Sequence, residues 1–286
     1  MSKDQLMPPN EHACRRRQFL KTSVIMAVGV SGCLSDNSGS PADSATRSPE
    51  TQPITSQTSD GNEPVNIVSL SVTDYIVYAL AGVHPHVHRR KDKQYLTLSV
   101  NSALSRDTIQ NQLRVNIDGE SVPLAESQPV RWRNETIDIA FAVSKTETFD
   151  SGYILYDQKK RQSLSKTMLT RLNTPPVFEV SELSVSPREL RAGTQREVTV
   201  SFTLTNTGDG RGTFGASLSG NFTSGSQTVT ATLDSDSERN VTQNIRVIGR
   251  NDTVTIRLDW GVDEWMADIS IIGTPIGSQT STPAPK

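Results

Sequence analysis

The chain contains very little cysteine. Its 286 residues include only Cys14 and Cys33, so every position after residue 33 lacks a thiol. The later sequence therefore offers no disulfide framework, no thiolate ligand for zinc and no cysteine nucleophile. Any chemistry in that part of the chain has to come from other side chains.

Aromatic residues and net charge are also scarce. Aromatics make up 5% and hydrophobic residues 34% of the sequence, and 29 basic against 31 acidic residues give a formal net charge of -2. So polar a composition favours small domains and disordered segments over one large core. A nucleic-acid-binding domain usually has a strongly basic face, and this balance argues against a nucleic-acid partner.

No apolar run is long enough to span a membrane as a helix. The run "TSVIMAVGVSG" at residues 22–32 follows a basic segment. A spanning helix needs about 20 apolar residues, whereas the apolar core of a signal peptide needs about 7–15 after a positive region. The length therefore predicts a signal peptide.

Two short motifs surround this apolar run. The segment "RRQFLK" resembles the twin-arginine export motif, and "VSGC" at residues 30–33 resembles a lipobox. The export resemblance rests on Arg16, Arg17, Phe19, Leu20 and Lys21. The lipobox resemblance implies that Cys33 becomes the first mature residue and carries lipid, and stable anchoring requires a two-chain lipid. The alternative is a plain secretory signal in which Cys33 is incidental.

The composition divides the chain into five segments. We predict a signal peptide at 1–32, a disordered, lipid-anchored linker at 33–64 and a disordered tail at 274–286, because the linker and the tail are rich in Ser, Thr and Pro. Between them we predict two β-sandwich domains at 65–173 and 176–273, separated by the short "TPP" hinge. The fold class is therefore predicted to be all-β.

The second domain carries the clearest strand pattern. In "REVTVSFTLTN" and "TVTIRLDW" apolar and polar residues alternate, as they do in a strand with one buried face. The buried faces are predicted to carry Val198, Val200, Phe202 and Leu204, and Val254, Ile256, Leu258 and Trp260. About seven such strands separated by turns favour a sandwich. The stretch "ELSVSPRELRAGTQREVTVSFTLTNTGDGRGTF" resembles the cell-adhesion-related immunoglobulin-like modules of archaeal and bacterial surface proteins.

The first domain is strand-rich but less regular. "YLTLSV" and "TIDIAFAV" alternate, "LRVNIDGESVPL" predicts a hairpin around Asp118 and Gly119, and residues 105–113 predict one or two helical turns. The order "KDKQYLTLSVN", "VNIDGESVPL", "AFAVSKTETFDSGYILY" resembles the telokin-like immunoglobulin-fold domain of small prokaryotic lipoproteins. Together with the export and lipid motifs, the whole chain resembles a haloarchaeal twin-arginine-exported lipoprotein.

The sharpest chemical signal is "HPHVH", which contains His84, His86 and His88. In an extended segment these imidazoles lie on one face and could share zinc or copper. The alternatives are a solvated loop between strands at 70–82 and 94–100, and a basic surface, "HPHVHRRKDK", that contacts lipid headgroups or acidic glycans. The basic run "RRKDK" disfavours a cation, and the loop is the preferred interpretation.

No motif predicts catalysis. The second domain contains no histidine to activate a serine, and the chain has no nucleophile elbow, P-loop or dinucleotide fingerprint. Four Asn-x-Ser/Thr sequons near predicted turns are candidate glycosylation sites: Asn134, Asn221, Asn240 and Asn251. We therefore expect a non-enzymatic lipoprotein without a cofactor, anchored at the outer face of the cell membrane, that binds a surface protein or a glycan. The alternative function is metal handling by the histidines.

Overall fold

The computed structural model describes residues 65–80, 84–130, 136–221, 225–249 and 252–273, and the backbone of residues 52–53. These residues form eighteen strands and two short helices. The fold class is all-β, as the sequence predicts, with two β-sandwich domains. In the described residues, no helix combines the length and the apolar character that crossing a membrane requires.

Several predicted features fall outside the described residues. They are the signal peptide at 1–32, most of the linker at 33–64, the tail at 274–286, the export-motif residues, Cys33, Asn134 and Asn251. One part of the linker differs from its prediction of disorder. Gln52–Pro53 forms strand β1 and pairs antiparallel with Ser69 and Leu70, because an edge strand presents unpaired backbone groups to any extended segment that reaches it.

The first sandwich contains ten strands and both helices. The strands are β1 (Gln52–Pro53), β2 (Asn66–Thr73), β3 (Ile76–Leu80), β4 (His84–His88), β5 (Lys93–Asn101), β6 (Leu113–Ile117), β7 (Glu120–Val122), β8 (Ile137–Ser144), β9 (Gly152–Tyr156) and β10 (Lys159–Ser163). They form sheets in the orders β1-β2-β5-β8 and β10-β9-β6-β7, and β3 and β4 form a two-stranded sheet. The core between the two large sheets includes Leu96, Leu98 and Phe141, which are at most 1% exposed.

Local signals explain the turn and the first helix. Asp118 and Gly119 join β6 to β7 with φ angles of 49° and 87°, the left-handed values that a two-residue hairpin turn needs. Helix α1 (Arg106–Gln112) begins at Ser105, whose hydroxyl accepts from the backbone N–H of Thr108. Both features confirm the sequence predictions.

A second helix, α2 (Lys166–Asn173), ends the first sandwich and is absent from the sequence prediction. Ser165 caps its N-terminus, and Met168 and Leu172 point into the core at 2% and 0% exposure. Their i, i+4 spacing after a capping serine is the signal that would have found this helix.

The second sandwich contains eight strands in the part of the chain that is described. They are β11 (Phe178–Ser186), β12 (Glu189–Arg191), β13 (Gln195–Asn206), β14 (Gly212–Gly220), β15 (Gln227–Leu233), β16 (Ser237–Ile248), β17 (Thr253–Asp259) and β18 (Glu264–Ile272). One sheet has the order β11-β13-β16 and the other β12-β18-β17-β14-β15. This strand order is compatible with an immunoglobulin-like arrangement.

The predicted buried faces of β13 and β17 form the core of this sandwich. Val198, Val200, Phe202 and Leu204 are at most 2% exposed, and Val254, Ile256 and Leu258 are fully buried. The two domains have separate cores, one ending at Leu172 and the other beginning at Val185. Both cores belong to one compact unit of the chain.

Candidate functional site: the cleft beside the histidine hairpin

The segment "HPHVH" is a strand, so the prediction of a solvated loop was wrong. Strand β4 pairs antiparallel with β3, which aligns Ile76 with His88 and Tyr78 with His86. Val87 and Ile76 are only 5% and 3% exposed, and the burial of these apolar side chains stabilises the hairpin. The single strand expected at 70–82 is accordingly two strands, β2 and β3, that separate at Asp74 and Tyr75.

The histidine face of the hairpin also carries Tyr78. Its ring centroid lies 5.8 Å from that of His86 and 6.2 Å from that of His88. His84 is exposed, whereas His86 and His88 are half-buried. Across the described residues, no three His, Cys, Asp or Glu side chains are gathered so that they could hold a metal ion. The hairpin thus aligns the three imidazoles without collecting them around one point.

His88 lies in the most confined position of the three. Its ring centroid is 5.8 Å from that of Tyr95, and its Nε2 is buried with no hydrogen-bond partner in the described part of the chain. Burial lowers the pKa of His88, and Arg90 lowers it further while Glu126 raises it. Burial also raises the pKa of Tyr95 to about 12. The surroundings of His88 therefore favour its neutral form.

The hairpin also packs on the second sandwich. The hydroxyl of Ser217 on β14 donates to the carbonyl oxygen of Pro85 at 3.0 Å. Gly215, two residues earlier, lies under the ring of Tyr75 so closely that a Cβ at this position would overlap the ring. The hairpin is therefore the element of the first sandwich that covers the outer face of β14.

A buried ion pair lies at the base of the hairpin. Arg89 Nε is 3.0 Å from Asp74 Oδ2, and the two side chains are 5% and 1% exposed. Arg89 Nη1 also donates to the carbonyl oxygen of Trp260 in the second sandwich, at 2.8 Å. Because Asp74 and Trp260 both engage the guanidinium, the pair joins the two domains.

The environment of Arg89 corrects the prediction of a basic surface at "HPHVHRRKDK". Its Cζ lies 5.0 Å from the ring centroid of Phe214 and 5.6 Å from that of Tyr75, within cation–π range. Burial raises the pKa of Tyr75 to about 12. The next arginine, Arg90, is exposed but is paired with Glu126 at 2.6 Å. Much of the basic charge that the sequence suggests is thus buried or neutralised.

A second contact joins the domains at the "TPP" hinge. A Cβ on Gly210 would overlap the carbonyl oxygen of Thr174, so only glycine allows the two backbones to approach this closely. Lys145 donates from Nζ to the carbonyl oxygen of Pro176 at 3.4 Å, and burial lowers the pKa of this lysine. The glycine-rich "GDGRG" segment therefore accommodates the connection between the sandwiches.

A cleft of about 310 Å³ lies between the hairpin and the outer face of the second sandwich. Its polar lining includes His84, His86, Ser217, Ser219, Arg257 and Asp259. Strands β14 and β17 pair Ser217 with Asp259 and Ser219 with Arg257. Because residues paired in this way share a face of the sheet, the alternation of the two strands places all four side chains at the cleft.

An ion-pair network forms the floor of the cleft. Arg257 Nη2 is 3.2 Å from Asp259 Oδ2 and also contacts Glu264 Oε2. The other carboxylate oxygen of Asp259 accepts from the backbone N–H of Gly261 at 2.9 Å. A guanidinium has five N–H donors and a carboxylate about four acceptor positions. The network therefore retains donors and acceptors for a ligand.

Sequence reasoning identified His84 and His86 but not the other residues that make this site. Arg257 and Asp259 are two apart on one strand and so share a face, which is a detectable signal. Asp74 and Arg89 carry no such signal, because only the packing of the hairpin on the second sandwich brings them together. Of the predicted site residues, His84 and His86 line the cleft, whereas His88 packs against Tyr95.

Two predicted glycosylation sites lie among the described residues. Asn221 follows β14 directly and is exposed, and its Oδ1 accepts from the N–H of Thr255 at 2.7 Å. Asn240 is also exposed but lies within β16, where its Oδ1 accepts from the hydroxyl of Thr203 at 2.8 Å. Asn240 was expected at or near a turn. Strand β16 instead begins at Ser237, so it extends past Asn240.

Comparisons with known proteins do not assign this chain to a family. No family model and no curated protein match the chain. Among solved structures, the chain is similar to a β-glucosidase from Listeria innocua in complex with isofagomine, at 15% identity and a TM-score of 0.27. The similarity covers 36% of this chain and 17% of the enzyme, so the chain spans far less than two thirds of that protein. A TM-score this low carries no argument about fold or activity.

Proposed function

We propose that this protein is a lipid-anchored surface lipoprotein that binds or holds a partner and catalyses no reaction. Its place is the outer face of the cell membrane, and its partner is a surface protein or a glycan. The twin-arginine and lipobox motifs support the location, with Cys33 as the lipid attachment site. The resemblance to haloarchaeal surface lipoproteins belongs to the same proposal.

The buried contact between the two domains is the observation that best supports a binding role. Arg89 is 7% exposed and connects Asp74 of the first sandwich with the backbone of Trp260 in the second. A buried charge remains stable only when its partners stay in place. The contact therefore keeps the hairpin on the second sandwich, and the polar cleft beside it has walls from both domains.

The hydrogen bonding of Ser217 supports a role without catalysis. A serine nucleophile requires a base that accepts its proton. Ser217 lines the cleft with His84 and His86, but its hydroxyl donates to the carbonyl oxygen of Pro85. The serine and the imidazoles thus share a cleft without forming a nucleophile–base pair, and a binding site is the simpler use of these groups.

Crosslinking on intact cells tests the binding role. A photoreactive amino acid would replace His84 at the cleft, and in a matched control it would replace Arg239 on β16, which is also exposed. We expect light-dependent adducts with one surface protein or glycan from position 84 and not from position 239. Equal adducts from both positions, or none from either, would contradict the proposed binding role.

A cysteine substitution tests the anchor separately. Cys33→Ser removes the sulfur that carries the lipid, so we expect the protein in the medium instead of the membrane fraction. The control is Cys14→Ser, which precedes the lipobox and leaves Cys33 intact. Membrane retention of the Cys33→Ser protein would refute the lipid anchor and leave the binding role to the crosslinking result.

A further inference from the structure

The charges around the cleft restrict the kind of ligand that it can take. Arg257 is the cationic side chain among the lining residues that the structure describes, and two carboxylates, those of Asp259 and Glu264, already contact it. An anionic ligand would meet the carboxylate of Asp259, and a cation would meet the guanidinium of Arg257. A neutral ligand avoids both conflicts.

The cleft presents hydrogen-bond donors and hydrogen-bond acceptors side by side. Arg257 is a donor and Asp259 an acceptor, and they stand side by side with side chains 47% and 21% exposed. Ser219 both donates and accepts, and the imidazoles of His84 and His86 add ring N–H donors. Neighbouring hydroxyl groups on one ligand need this combination, because each hydroxyl can donate one bond and accept others.

The wall of the cleft contains one further polar group. The hydroxyl of Ser226 is buried there and has no hydrogen-bond partner among the residues that the structure describes. A buried polar group without a partner is energetically costly, so it marks a place where a ligand or water completes the bonding. Small-ligand sites typically measure about 300–1,000 Å³, and a cleft of about 310 Å³ suits a ligand of one or two rings.

We propose that the cleft formed by His84, His86, Ser219, Arg257 and Asp259 binds a neutral saccharide, one or two sugar units of a surface glycan. Arg257 donates to one sugar hydroxyl and Asp259 accepts from its neighbour. The imidazoles on the hairpin close the cleft from the other side. This inference rests on the proposed binding role and specifies the chemistry of the partner.

The test is a glycan array that carries neutral hexose and pentose oligomers beside uronic-acid and sulfated oligomers. The purified full chain, solubilised in detergent, is applied to the array, and affinities for the positive spots follow from titration. We expect binding to a subset of the neutral oligomers. Binding restricted to the acidic oligomers, or to none at millimolar concentration, would overturn the inference.

Variants connect that binding to the cleft. Asp259→Asn changes the acceptor, and because the carboxylate also bonds the N–H of Gly261, His84→Ala is tested in parallel as an exposed position that leaves the fold alone. Loss of a hydrogen bond to a charged group predicts about a tenfold or larger loss of affinity for Asp259→Asn. Arg239→Gln, on the opposite sheet, should bind as well as the unmodified chain.

The outcomes separate this inference from the proposed function. Unchanged affinity in both cleft variants would place the saccharide elsewhere and overturn the assignment of the cleft. An empty array together with a protein adduct from position 84 would remove the saccharide inference and keep the binding role. Release or retention of the Cys33→Ser protein bears on the anchor alone.

Discussion

Arg89 and Asp74 form an ion pair of 3.0 Å in which the side chains are 5% and 1% exposed. Removing one member of a buried pair leaves the other as an uncompensated charge. We expect Arg89→Met to lower the free energy of unfolding by about 3–5 kcal/mol. Denaturant titration of the purified chain measures this change.

The neighbouring arginine provides a matched control. Arg90 pairs with Glu126 at the surface, with side chains 45% and 70% exposed. Exposed pairs contribute about 0–1 kcal/mol, so Arg90→Met should barely change the unfolding midpoint. The double variant with Asp74→Leu and Arg89→Met should be more stable than Arg89→Met alone, because no charge remains buried. Equal effects of Arg89→Met and Arg90→Met would contradict the role given to the buried pair.

Gly215 and Tyr75 define a second prediction at the same contact. A Cβ on residue 215 would overlap the Tyr75 ring, which is only 7% exposed and has little room to move. Overpacking of this kind costs about 1–3 kcal/mol, so Gly215→Ala should lower the unfolding midpoint.

A double-mutant cycle tests whether the loss arises at the hairpin. In a Tyr75→Ala background the ring is gone, and the Gly215→Ala change should then cost much less. Additive losses in the two backgrounds would mean that the alanine acts within the second sandwich and not on the contact with the first.

His88 predicts a pH dependence of stability. Its pKa in the folded protein is lowered from 6.5, first by burial and then by Arg90, against a raising effect of Glu126. The unfolded chain therefore binds more protons near and below pH 6.5 than the folded chain does. Stability attributable to His88 is complete above about pH 6.5 and declines as the pH falls toward the lowered pKa.

The variant His88→Phe keeps an aromatic ring between Tyr78 and Tyr95 and removes the titration. We expect the unfolding temperature of the unmodified chain to fall between pH 7 and pH 5 by more than that of His88→Phe. His84→Gln, at the exposed end of the same strand, should retain the full decrease. Parallel pH profiles of the unmodified chain and His88→Phe would rule out this histidine as the source.

Metal binding by the three histidines is the remaining alternative function. Alternate residues of a strand are separated by about 6.6 Å, whereas Zn–N bonds measure about 2.0–2.1 Å. His88 Nε2 is moreover buried beside Tyr95. We expect calorimetric titration with Cu²⁺ or Zn²⁺ to give no binding tighter than about micromolar. Tighter binding that disappears in the variant with alanine at 84, 86 and 88 would instead establish a metal site.

Alternation and turn chemistry predicted the parts of the fold that local sequence determines. Val198 to Leu204 on β13 and Val254 to Leu258 on β17 are buried as the period of two requires. The turn at Asp118 and Gly119 is equally local, since both residues tolerate positive φ. These elements follow from neighbouring residues, so a single sequence contains the information.

The hairpin could not be predicted in the same way, because its structure depends on distant residues. Three histidines, a proline and a basic run have little strand propensity of their own. Burial of Val87 and the contacts of Pro85 and Arg89 with the second sandwich stabilise β4 as a strand. The same tertiary dependence hid the cleft, whose walls come from residues more than a hundred positions apart in the chain.

The packing of the hairpin on the second sandwich also determines when its contacts can form during synthesis. The bond from Arg89 to Trp260 joins groups 171 residues apart, and that from Ser217 to Pro85 spans 132. A growing chain makes its N-terminal domain first, and contacts so distant form late. Until Trp260 has been synthesised, Arg89 lacks the carbonyl partner that it bonds in the second sandwich. Formation of that bond therefore requires that synthesis has passed Trp260, so the hairpin reaches its final hydrogen bonding only after most of the second sandwich exists.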